Sequence, residues 1–165
     1  MSGLINSAGS KSGVIGAGHD AVAGFRVHRL TTFTITSDAL GIVTWESGGV
    51  LYDIDGSFSY STGKFTAKKA GKYFAQGKLM VGLDNTTKFA SMAIHKNGEN
   101  LGGVYNSQIS SSCSGNSGAA GSTIFDLAAG DWIALYAGSS YGWSGATTYG
   151  DSSGNATYFS AIKIS

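Results

Sequence analysis

The stretch Phe58–Phe74, FSYSTGKFTAKKAGKYF, narrows the possible folds more than any other part of the chain. It reads as strand, turn, strand, turn, strand. Ser61-Thr62-Gly63 is a turn, because glycine takes positive φ without a Cβ clash. Phe58 and Tyr60 share a face before that turn, and Phe65 returns after it. Ala70-Gly71 makes the next corner, and Tyr73 and Phe74 open another strand. Aromatic strands with glycine at each corner predict an antiparallel sheet that rests one face on a core.

The same rhythm runs through most of the chain. Phe25–Thr36 alternates, with Phe25, Val27 and Arg29 on one face and Arg26, His28 and Leu30 on the other. Ile42–Trp45 is a short strand ended by Ser47-Gly48-Gly49. In Lys72–Val81, Tyr73, Ala75, Gly77, Leu79 and Val81 share a face. Phe89–His95 and Leu101–Ile109 are strands on either side of Asn97-Gly98, a type I′ hairpin signal. Ile124–Leu127 and Trp132–Ala137 flank the Ala129-Gly130-Asp131 corner, and Thr157–Ile164 closes the sheet with Tyr158, Ser160, Ile162 and Ile164 on one face. Ser110–Ser122 and Gly138–Ala156 have no such alternation and are expected to be Gly/Ser loops. About eight to ten short strands and no helix make an all-β sandwich or barrel.

The meander also resembles the signature region of the complement one-q globular head, a jelly roll shared with the tumour-necrosis-factor-like superfamily. That pattern is an amide or acid, an aromatic, a Phe and then Gly-x-Tyr; Asp53, Phe58, Phe65, Gly71 and Tyr73 stand at the matching positions. Three positions depart from it. The leading Phe falls on Ser47, with Trp45 close by, and the two aromatics expected after Tyr73 are Ala75 and Gly77, so the core there is filled differently. Weaker similarity covers Phe25 onward, His95-Lys96-Asn97-Gly98, Leu127–Leu135 and Tyr158-Phe159-Ser160. The resemblance implies an antiparallel jelly-roll sandwich over residues 25–165 and a homotrimer of such sandwiches around a threefold axis.

Composition agrees with self-association. At 165 residues the chain has room for one domain with a real core. Only 13% of residues are charged, about half the usual share, and weakly charged surface favours association. A net charge of +1 offers nothing to nucleic acid or an anionic membrane. No apolar run approaches the ~20 residues of a membrane helix. Cys113 is the lone cysteine, so packing and partner chains, not an internal disulfide, must hold the fold. The start lacks a charged segment followed by an apolar one, so the expectation is synthesis in a host cytoplasm without signal-peptide secretion.

Residues 1–24 are mostly Gly, Ala and Ser, the composition of a flexible arm. Leu4-Ile5 and Val14-Ile15 interrupt it, and such apolar pairs suit an arm that docks on a partner. Gly9–Gly16 is similar to phrases in structural proteins of tailed bacteriophages.

Strings that suggest chemistry lack their structural context. Gly16–Ala21 fits a dinucleotide fingerprint with Asp38 downstream, but the residues after it are Thr/Phe-rich and strand-like, not a helix. Gly138–Gly142 fits G-x-S-x-G, yet no helix signal and no histidine come after Ser140. His19, His28 and His95 have no paired ligand spacing for zinc. Some members of the similar family bind calcium; Asp53 and Asp55 are the nearest acidic pair, with turn formation as the simpler role. Cys113 in a Ser/Gly loop reads as an inert thiol. Lys64, Lys68, Lys69 and Lys72 form a basic cluster, read first as solvated edge protection and second as a contact for an acidic surface. Tyr141, Trp143 and Tyr149 sit in a Gly/Ser loop, where aromatics either pack back on the domain or form a recognition platform.

No catalytic, cofactor or metal site is therefore expected. The expected function is that of a virion structural protein: a homotrimeric capsid decoration, or a fibre or spike head, anchored to other virion proteins by residues 1–24. The alternative is a tail-fibre tip that reads a host-surface glycan or protein through Tyr141, Trp143 and Tyr149.

Overall fold

The computed structural model describes residues 23–35, 40–83, 89–99, 106–110, 115–140 and 146–165. Among these lie thirteen strands: β1 (Gly24–His28), β2 (Phe33–Ile35), β3 (Gly41–Ile42), β4 (Val50–Asp53), β5 (Phe58–Ser59), β6 (Lys64–Thr66), β7 (Gly71–Leu83), β8 (Phe89–Lys96), β9 (Asn106–Ser110), β10 (Gly115–Leu127), β11 (Trp132–Ser140), β12 (Ala146–Thr148) and β13 (Tyr158–Lys163). One 3-10 turn, Ser47–Gly49, precedes β4. The first sheet runs β2-β12-β7-β13-β1-β4, with β10 also paired to β7; the second runs β5-β6-β11-β8-β9, with β3 also on β11. Non-consecutive neighbours in both sheets make this an antiparallel jelly-roll sandwich.

The turns obey local chemistry. Gly63 has φ 69°, and the Asn97-Gly98 hairpin has φ 53° and 82°, positive at both central residues as a type I′ turn requires. Asp53 caps its corner: its carboxylate oxygens accept the Ser57 amide at 2.9 Å and the Phe58 amide at 3.1 Å. It therefore acts as a turn former.

The signature aromatics form one stack between the sheets. Phe25 lies 4.6 Å from Phe58 and 4.9 Å from Phe65, near parallel to both, and meets Phe159 edge-on at 5.0 Å. Tyr73 tilts against Phe65 at 5.6 Å and donates its hydroxyl to the Lys69 carbonyl, so the one polar atom in the stack is paired. Along β7, Tyr73, Ala75, Gly77, Leu79 and Val81 all face inward and are buried, as their alternation predicts. At Gly77 the missing aromatic is replaced from the opposite sheet. A Cβ on Gly77 would come within 2.5 Å of Leu135 Cδ1 and 3.6 Å of Met92 Sδ, so these side chains occupy that space.

Two expected loops are partly strand. Within Ser110–Ser122, the last residues belong to β10, which pairs with β7 in unbroken register from Gly115↔Leu83 to Leu127↔Gly71. Gly, Ser and Ala carry no side-chain alternation, but their backbones hydrogen-bond as well as any. Within Gly138–Ala156, β11 runs on to Ser140 and Ala146–Thr148 forms β12, laid between β2 and β7. Gly24 opens β1, and the Ala23 carbonyl accepts the Lys163 amide at 2.8 Å.

Candidate interaction face

The outward face of the first sheet carries an apolar row between polar ones, where a solvated sheet is normally polar throughout. Strand register puts Gly24, Ile162, Phe74 and Ile124 side by side across β1, β13, β7 and β10. Ile54 extends this row past β4, its amide donating to the Gly24 carbonyl at 2.9 Å, and Ile164 continues beyond Ile162. Ile54, Ile124 and Ile164 are each more than half exposed. The next row is Tyr52, Arg26, Ser160, Gln76 and Ser122. Its one cation, Arg26, lies 4.4 Å over the Tyr158 ring and donates to the Gly154 carbonyl. Contiguous exposed isoleucines mark an interaction surface more than scattered ones do. Sequence alternation did not single out this face. The signal was present in Tyr73-Phe74 and Phe159–Ile162, strands apolar on both sides, which a sheet with one wet face does not need.

The outward face of the second sheet differs. Trp132 and Tyr136 are half-buried there, with the Lys64 ammonium 3.8 Å over the Trp132 ring and His95 stacked on Tyr136 at 4.1 Å. These contacts occupy the ring faces. His95 is almost fully buried, and neither ring nitrogen makes a hydrogen bond of good geometry. Burial pushes its pKa below the ordinary value, although the Gly98 carbonyl favours the charged ring. The unfolded chain therefore binds this proton at higher pH than the folded one, and His95 supports stability fully above about pH 6.5 but loses that support as pH falls. The urea midpoint is expected to fall between about pH 7 and 5, less steeply in His95→Phe; equal slopes would contradict the assignment.

A cavity of about 410 Å³ at one end of the sandwich is lined by Gly71, Lys72, Lys96, Asp126, Asp131 and Ser165 among others. Its charges compensate in pairs, Lys72 with Asp126 at 2.7 Å and Lys96 with Asp131 at 2.8 Å, so these side chains present no excess of either sign to a ligand. The basic cluster is likewise spent locally: Lys64 on Trp132, Lys68 on the Asp55 carbonyl and Lys72 on Asp126.

The remaining sequence candidates stay apart. Leu4, Ile5, Val14 and Ile15 of the arm, Tyr141 and Trp143, His19 and Cys113 all lie outside the described residues. Tyr149 packs its phenol over Gly82 on β7, where an added Cβ would meet it at 2.7 Å. Gly138-Ser139-Ser140 ends β11, and the next described element is strand β12, not the helix an elbow needs. His28 and His95 sit in different sheets. Among the described residues no three His, Cys, Asp or Glu side chains converge as metal ligands.

Comparison with known proteins gives the same architecture. The globular domain of zebrafish complement 1qA protein superposes with a TM-score of 0.59 at 16% identity, covering 87% of this chain and 98% of that one. Murine APRIL, crystallised at pH 5.0, gives 0.62 at 12% identity over 87% and 99%. Eiger TNF from S. frugiperda gives 0.62 at 14% identity over 88% and 94%. No curated protein matches the sequence significantly. The sequence profile of the C1q domain matches residues 24–162, from the start of β1 to within one residue of the end of β13, and the chain belongs to the C1q domain family.

Proposed function

We propose that this chain is a non-enzymatic virion structural protein that assembles as a homotrimer on the outward face of its first sheet. The observation that carries the trimer is the row Ile54, Ile162, Phe74 and Ile124, too apolar to be left to solvent in a chain with so few charges. The family architecture and the low charge support it. The virion setting, a capsid decoration or an appendage head, rests on the apolar pairs of residues 1–24 and their phage-like phrase.

The test is the sedimentation mass of the purified chain and of Ile124→Asp/Ile162→Asp. Both positions are exposed in the single chain, so the fold should survive. The expected result is a mass of three chains for the wild type and of one for the variant, with unchanged strand signal in circular dichroism. A wild type that remains single at high concentration overturns the assembly. Deleting residues 1–22 is expected to leave the trimer intact and abolish incorporation into particles.

A further inference from the structure

The turn at Asn97-Gly98 is the chain's one Asn-Gly step, and both residues are exposed. The Asn97 amide does more than shape the turn. Its Nδ2 donates to Asp131 Oδ1 at 2.8 Å, and its Oδ1 accepts the Trp132 amide at 2.9 Å. Its backbone amide donates to the Trp132 carbonyl at 2.8 Å. One side chain thus latches the β8 hairpin to the corner that opens β11. Asp131 is committed to the same corner, accepting the Ala128 amide and the Lys96 ammonium, each at 2.8 Å.

We propose that Asn97 is a self-modification site, at which loss of the side-chain amide irreversibly opens this latch. The Gly98 backbone nitrogen, unhindered because glycine carries no Cβ, loses its proton and attacks Asn97 Cγ. The new C–N bond closes a five-membered succinimide while the Cγ–Nδ2 bond breaks and ammonia leaves with that proton. Water then opens the ring at either carbonyl, leaving aspartate or isoaspartate at 97; no oxidant or reductant is involved.

The product does not fit the latch. Where Nδ2–H met Asp131 Oδ1, a carboxylate oxygen now faces a carboxylate oxygen, a like-charge contact at hydrogen-bond distance. The isoaspartate form also adds a methylene to the main chain inside a turn whose two central residues both need positive φ. The intact latch restrains the chemistry, because the amide carbon is held by two hydrogen bonds until the hairpin opens.

The test is peptide mapping of the purified chain aged at mildly alkaline pH. The mass gain of about 1 Da that accompanies amide loss is expected to accumulate at Asn97 ahead of every other asparagine, Asn155 included. Asp131→Ala, which removes one side of the latch, is expected to raise the rate at Asn97 several-fold. Asn97→Asp is expected to speed hydrogen exchange at the amides of residues 97 and 132. An Asn97 no faster than Asn155, an unchanged rate in Asp131→Ala, or wild-type exchange in Asn97→Asp would each overturn the proposal.

Discussion

Arg29→Ala is expected to lower stability by about 3 kcal/mol, the low end for breaking a buried ion pair from one side. Arg29 lies between β1 and β2, and its side chain is only 8% exposed. Its guanidinium donates to the Thr44 carbonyl at 2.6 Å, the Thr31 carbonyl at 3.3 Å and the Thr31 hydroxyl at 3.2 Å. It meets Glu46 at 2.9 Å and lies over the Phe33 ring at 4.8 Å. One cation thus ties the β1–β2 connection to the segment that leads into β4. Burial lowers the pKa of Arg29, opposed by Glu46. Burial also works against the Glu46 carboxylate, but the Thr31 hydroxyl, the Leu30 amide and Arg29 together hold it below its ordinary value. Removing the guanidinium strands a carboxylate that keeps some water access and leaves the Thr44 carbonyl unpaired, which is why the low end applies. A drop of about 6–12 °C in melting temperature is the corresponding readout. Arg29→Lys should recover only part of it, because an ammonium cannot span Thr31, Thr44 and Glu46 at once. A loss below about 1 kcal/mol for Arg29→Ala would show that the contacts are replaceable.

The second large effect concerns the departure at Gly77. Gly77→Phe puts a ring where Leu135 and Met92 already lie and is expected to cost about 3 kcal/mol or more. Leu135→Ala alone empties a fully buried site and is expected to cost 2–5 kcal/mol, roughly. The two changes are complementary, because the ring entering from β7 fills the space leaving β11. The double variant is expected to be more stable than the sum of the singles by at least about 1 kcal/mol, read from urea midpoints in a double-mutant cycle. Additive losses would mean that the ring and the leucine do not share a site.

This pair also shows how far the sequence carried. The departure from the family's aromatic pattern at Ala75 and Gly77 was visible in the chain, and so was the need for another filler. Its source, Leu135, is 58 residues away on the other sheet and was not. The inward alternation of β7, the glycine at the Gly63 corner and the type I′ turn at Asn97-Gly98 were legible because each depends on neighbours in the chain. The first part of β10, Gly115–Ser122, was not, because its Gly/Ser/Ala run takes its strand conformation from the ladder with β7, whereas Ile124–Leu127 at its end was. The interaction face was hidden for a related reason. Ile162, Phe74 and Ile124 are ordinary singly and become a patch only when three strands are set in register.

The amino-acid order by itself settled an all-β chain, the positions of its corners and which residues alternate, since strand geometry and turn sterics act over a few bonds. Only the tertiary structure decided which strand lies beside which, what fills the gap over Gly77 and which isoleucines face outward. Those outcomes depend on contacts between segments far apart in sequence, where local preference carries no information.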